Sequence, residues 1–174
     1  VPDYYISKIE RSRTDTFRFY GRSKLDPRIP LVAGDHVAWR GPSGADLSLW
    51  SSSRMKMEDI TVKNGTGIAY MELCGEGDNR YTRCQITYAG KPEGAEEEPL
   101  IACATDGFHS ASMRKGPILE NCFFEGLNDD QVNIHGTYGM VVEANKKTAV
   151  IDWRTPHSGA RTPFSFAKSG DVMR

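Results

Sequence analysis

Apolar and polar residues alternate along this chain in short runs, and Gly or Asn closes almost every run. "HVAWRG", "MEDITVKNG", "YTRCQITYAG", "PILENCFFEG" and "QVNIHG" all show it. Period-two alternation ended by a turn residue is the mark of a strand with one buried face. A 3.6-residue period is nearly absent, so the pattern predicts an all-β chain.

Three of these runs superpose. Asp59–Asn64, Gln85–Gly90 and Asn121–Gly126 each pass from polar to apolar, through a variable position, to a large apolar residue and then a turn. The starts lie 26 and 36 positions apart, and the longer interval holds the acidic stretch "KPEGAEEEP". One strand–turn unit per twenty-odd residues predicts a solenoid, here a right-handed parallel β-helix. Successive circuits would stack about 4.8 Å apart. The predicted inward columns are Ile60, Ile86 and Cys122, then Val62, Tyr88 and Phe124.

The two ends break the repeat. Residues 1–42 contain "TDTFRFYGRSK" and "LVAGDHVAWRG"; residues 137–174 contain "GMVVEANKKTAVIDWR" and "FAKSGDVMR". Both read as small antiparallel β segments, parts of small barrels flanking or inserted in the helix. The expected organisation is a partial barrel over 1–42, the β-helix over 43–136 and the start of a second barrel segment over 137–174. The last strand stops at Arg174 as it begins, so the chain reads as a fragment of a longer protein.

Composition narrows the partners. With 22 Lys plus Arg against 23 Asp plus Glu in 174 residues, the net charge is −1. Nothing there predicts a nucleic-acid or anionic-membrane partner. No apolar run is long enough to span a bilayer as a helix. The start, "VPDYYISKIERSR", has neither initiator Met nor apolar signal core, which suits a mature, trimmed or excised chain. Cys74, Cys84, Cys103 and Cys122 lie in or beside apolar runs without metal-ligand spacing. Buried free thiols are expected, with a Cys74–Cys84 disulfide as the alternative.

The chemistry gathers around "TDGFHS" and "FEGLNDDQVNIHG". Asp106 and Asp129 are 23 positions apart, close to one circuit, so Asp106 is expected directly beneath Asp129. In that register Gln131, Asn133 and His135 share the polar parity, and Ser110 and Ser112 extend it one circuit below. Val132 and Ile134 face inward. His109 falls on Val132 and takes a semi-buried place. Asp130 has the inward parity unless the chain bends at Asn128–Asp130, a bend that Asn and Asp favour. Three carboxylates gathered without a positive neighbour cannot all ionise cheaply. An acid that keeps its proton beside an ionised base is what glycoside cleavage needs. A Ca²⁺ site, or an Asp turn capping the circuits, fits the same spacing.

The span from Thr105 to Val142 resembles the α-galactosidases of glycoside hydrolase family 110, β-helix enzymes that remove terminal α-galactose. Their pattern of an Asp one circuit before Phe-Glu-Gly, Asp-Asp and Asn-x-His-Gly is met by Asp106, Phe124–Gly126, Asp129–Asp130 and Asn133–Gly136. The resemblance implies an inverting hydrolase with Asp129 as acid and Asp106 and Asp130 holding and deprotonating water. It implies an oligosaccharide or polysaccharide substrate, no metal or organic cofactor, and a secreted or periplasmic location. "TDG" also resembles the polygalacturonases, whose uronate substrates call for cations near the site.

Other substrate contacts are expected from Asn133, His135, His109, Glu72 and Arg114. Trp50 and Tyr70 are candidates for a stacking face under a sugar ring, or for the core. "NGT" at Asn64 fits the glycosylation pattern. A non-catalytic carbohydrate-binding solenoid would keep the stack and the aromatics without needing Asp129.

Overall fold

The computed structural model describes residues 6–21, 31–38, 44–136, 138–152 and 169–171. All its regular elements are strands, and they fall into two compact units, 1–37 and 38–174. Among the described residues no helix is long and apolar enough to cross a membrane.

In the first unit β1 (Ile6–Arg11) and β2 (Phe17–Gly21) pair antiparallel, with Lys8 opposite Tyr20 and Arg11 opposite Phe17. Of the expected strand "HVAWRG", His36–Ala38 are irregular, and Trp39, Arg40 and Gly41 lie outside the described residues.

The second unit is built from β3 (Ala45–Trp50), β4 (Lys56–Glu58), β5 (Thr61–Lys63), β6 (Ile68–Leu73), β7 (Arg80–Thr82) and β8 (Gln85–Thr87). After an irregular stretch come β9 (Phe108–Ala111), β10 (Ile118–Glu120), β11 (Phe123–Phe124) and β12 (Val132–His135). These strands form three parallel sheets, ordered β12-β9-β6-β3, β10-β7-β4 and β11-β8-β5. The chain therefore visits the three sheets in a fixed rotation, which is compatible with a β-helix-like fold. A separate antiparallel pair follows, β13 (Met140–Ala144) and β14 (Ala149–Asp152). Its turn is held by Asn145, whose side-chain oxygen accepts from the amides of Lys147 and Thr148 at 2.8 and 2.9 Å. In "DWR" and "SGDVMR", Trp153, Arg154 and Val172–Arg174 lie outside the described residues.

Each expected strand in "MEDITVKNG", "YTRCQITYAG" and "PILENCFFEG" is two strands around a corner. The corner residues are Asp59, Arg83 and Asn121, with φ of 55°, 54° and 54°. A second column, Ser51, Cys74 and Ser112, has φ of 48°, 56° and 55°. Left-handed residues recurring at one place in each circuit turn the chain between sheets without a loop. Arg83 donates two hydrogen bonds to the Asp59 carboxylate, at 2.6 and 2.7 Å, tying two stacked corners together.

The register corrects the expected columns. Lys56, Arg80 and Ile118 are partners, so the intervals are 24 and 38 residues rather than 26 and 36. Val62, Ile86 and Phe124 form one column, and Cys84, not Ile86, stands between Ile60 and Cys122. The middle repeat had slid by two positions. A two-residue slip keeps every side chain on its face, so alternation alone does not detect it. The large apolar Tyr88 made the slipped alignment attractive, but β8 ends at Thr87.

The core is aromatic at its centre. Tyr81 meets Phe108 edge-on at 4.8 Å between centroids, and Tyr70 stacks on Phe124 at 6.1 Å. The Tyr70 hydroxyl donates to the Ile60 and Gln85 carbonyls, at 2.8 and 3.1 Å. Tyr70 is thus a core residue and offers no sugar-stacking face, whereas Trp50 is exposed. All four cysteines carry free thiols, and burial pushes those of Cys84 and Cys103 up.

Candidate active site

Asp106 lies in the tight stretch before β9. Its carbonyl accepts from the Ala69 amide at 3.1 Å, in the circuit before, and the next amide, Gly107, donates to the Asp130 carbonyl at 2.9 Å. A backbone clamped on both sides fixes where the Asp106 side chain starts. Gly107 is required there: a Cβ would meet Leu127 Cδ1 at 2.8 Å and the Gln131 carbonyl at 2.9 Å.

Phe108 pairs with Val132 and His109 with Asn133, an interval of 24 residues. Asp106 therefore stacks beneath Asp130 rather than Asp129. The expected bend is present at Asn128 and Asp129. Asn128 holds it by donating its backbone amide to the Cys103 carbonyl at 3.1 Å, and the Asp130 amide donates to Asp129 Oδ1 at 3.1 Å. The bend frees Asp130 from its strand parity. One carboxylate oxygen each of Asp106, Asp129 and Asp130 then lies within 4.8 Å of the others. Asp106 is buried, and Asp129 and Asp130 are exposed.

The one-residue correction moves the neighbours too. His109 shares the outward face with Asn133, and its Nδ1 lies 2.6 Å from Asp106 Oδ2. Asn133 Nδ2 donates to the same oxygen at 3.4 Å. His135 Nε2 is 3.1 Å from His109 Nε2, and its Nδ1 donates to the Gly136 carbonyl at 3.0 Å. Ser110 and Ser112, expected on the polar stripe, are buried, and Ser110 Oγ donates to Glu72 at 2.7 Å. Val132 and Ile134 do face inward, yet stay 44% and 57% exposed. β12 is the last strand of its sheet among the described residues, so no further strand there covers that end.

Two expected substrate contacts are placed elsewhere. Glu72 is 0% exposed, and accepts from Ser110, from Asn79 Nδ2 at 2.8 Å and from Tyr81 Oη at 3.2 Å. Its position on β6 has the inward parity, opposite Ser110 of β9, so it serves the interior and meets no sugar. Burial, and then the Glu72 charge, push the Tyr81 phenol up. Arg114 donates two hydrogen bonds to Asp171, at 2.8 and 2.6 Å, and lies 3.4 Å from Glu76. The Asp171 contact holds its guanidinium above the usual range. The guanidinium is engaged by these two carboxylates.

The three carboxylates present oxygens that a hard divalent cation accepts. Ca²⁺ takes about six to eight such ligands, and Asp106 Oδ2 is already engaged by His109 and Asn133. The same arrangement is also one that can transfer protons. It offers one buried, oriented carboxylate and two solvent-facing ones within reach of a single bound group. Sequence reasoning passed over the His109–Asp106 contact. The signal was Phe108, which belongs opposite the apolar Val132 and not opposite Gln131.

Comparison with known proteins gives one curated relative. Over 151 residues the chain is 26% identical to a protein named alpha-1,3-galactosidase B from Parabacteroides distasonis. The match covers 83% of this chain and 23% of that relative, so the chain spans less than a quarter of its length. No family model and no solved structure matches. The relationship is distant and galactosidase-like.

Proposed function

We propose that this chain carries the acidic site of a right-handed parallel β-helix glycoside hydrolase that releases terminal α-linked galactose with inversion. The observation that carries the reading is the convergence of one buried and two exposed carboxylates, Asp106, Asp129 and Asp130, within 4.8 Å. The distant likeness to a protein named for α-1,3-galactosidase activity supports the substrate class. Asp129 is the acid and gives its proton to the glycosidic oxygen as the bond to the anomeric carbon breaks. Asp106 and Asp130 hold a water against that carbon, and Asp130 takes its proton. Galactose and the hydroxyl of the leaving group are the products, and solvent exchange returns the proton to Asp129.

One distance favours a second reading. Two-carboxylate inverting sites hold their groups about 6.5–9.5 Å apart and retaining sites about 5–5.5 Å, and the closest oxygens here are nearer the shorter figure. A retaining route through a covalent intermediate needs only two carboxyl groups, however. The third is accounted for when a water must be held by one and deprotonated by the other. A uronate substrate is less well supported. Arg114 is tied to Asp171 and Glu76, and Lys115 lies 3.9 Å from Asp78.

The test is release of free galactose from an α-1,3-galactobiose by the native chain and by Asp129→Asn, with oligogalacturonate in parallel. Release by the native chain alone supports the reading. An active Asp129→Asn chain removes Asp129 as acid, and cleavage of oligogalacturonate alone replaces the substrate class.

A further inference from the structure

The two histidines beside the aspartates form a continuous hydrogen-bonded line from Asp106 Oδ2 through His109 and His135 to the Gly136 carbonyl. Protons can be counted along it. A carbonyl only accepts, so His135 Nδ1 carries a proton. The His109–His135 contact at 3.1 Å needs a proton on one Nε2 and a lone pair on the other. The Asp106–His109 contact needs a third. Two neutral imidazoles supply only two, so the bonded line holds one extra proton, and its three side chains together are uncharged. A separation of 2.6 Å at side chains 9% and 20% exposed suits an ionised Asp106 accepting from an imidazolium.

We propose that His109 and His135 are positioning residues, with His109 held as an imidazolium against Asp106 and His135 as the neutral acceptor that keeps it there. This rests on reading Asp106 as part of the hydrolytic site. The line does two things for that site. It sets a positive charge against Asp106, beside Asp130 and the acid Asp129. It also occupies Oδ2, leaving Oδ1 to orient the water while Asp130 takes the proton. Around His109 the facing groups are Asp106 from its own segment, Met71 from β6, and Asn133 and His135 from β12, with Asp129 and Asp130 beyond Asp106. Glu72 is on the opposite, inward face.

Nitrogen-15 NMR of the histidine side chains of this chain decides the protonation pattern without any activity. The expected result at neutral pH is His135 protonated on Nδ1 alone and His109 on both nitrogens. A far-downfield proton should mark the Asp106 contact and vanish in Asp106→Asn. His135 protonated on Nε2, or a neutral His109, overturns the proposal. The kinetic arm compares His135→Leu, which removes the acceptor, with His135→Gln, whose amide oxygen can replace it. His135→Leu should lower kcat for galactose release roughly 10- to 100-fold with KM little changed. His135→Gln should restore kcat. Wild-type kcat in folded His135→Leu overturns the positioning role. If the native chain releases no galactose, the hydrolase reading fails, and the NMR pattern still decides the line.

Discussion

Replacing Glu72 by alanine removes the acceptor of three buried donors, Ser110 Oγ, Asn79 Nδ2 and Tyr81 Oη, at 2.7, 2.8 and 3.2 Å. Each donor left unsatisfied away from water costs about 1–3 kcal/mol. The variant also loses a buried charge, and relief of its desolvation offsets part of the sum. The net expectation is a loss of roughly 3 kcal/mol, a large share of the about 5–15 kcal/mol that holds a domain together. In a chain of this size that lowers Tm by about 6–12 °C. Glu72→Gln keeps one acceptor oxygen, and the Ser110 hydroxyl can rotate to accept from the new amide, so it should lose no more than about 1 kcal/mol. Equilibrium urea unfolding, followed by far-ultraviolet circular dichroism, reads both. A Glu72→Ala midpoint equal to that of the native chain would refute the buried-acceptor account. A normally stable Glu72→Gln with strongly raised KM would return Glu72 to the substrate.

Phe108→Ala removes a fully buried ring packed edge-on against Tyr81 and should cost about 3–5 kcal/mol in the same assay. Gly107→Ala drives a methyl against the Gln131 carbonyl and Leu127, parting Asp106 from Asp130; turnover should fall on the order of tenfold or more, with a smaller change in the urea midpoint. Asp129→Asn should lower galactose release by roughly 10²- to 10⁴-fold while leaving Tm within about 2 °C, since its carboxylate is exposed.

The strands were legible because alternation survives even where register does not. Val62, Phe124, Val132 and Ile134 carry the inward parity read from the sequence. Corners and intervals were not legible. Asp59, Arg83 and Asn121 share a left-handed φ but no side-chain chemistry, so nothing in their identities announces a bend inside a strand-like run. The gathering of Asp106, Asp129 and Asp130 could be foreseen because a one-residue error in a circuit of 24 still leaves the carboxylates close. The same error reverses parity, and it misplaced Ser110 and His109. Glu72, expected as a substrate contact, is fully buried, as a carboxylate seldom is. Its three donors come from Asn79, Tyr81 and Ser110, two of them in the same circuit and one in the next. No local pattern joins those positions.

The most direct test of the central reading is proton NMR of this chain mixed with an α-1,3-galactobiose, watching the first galactose anomer released, with Asp129→Asn as control. Two carboxylates holding and deprotonating a water, with the third as acid, predict β-galactose first, from the native chain alone. Early α-galactose would contradict inversion and turn one of the three into a nucleophile, and no galactose at all would contradict the hydrolase reading of this chain.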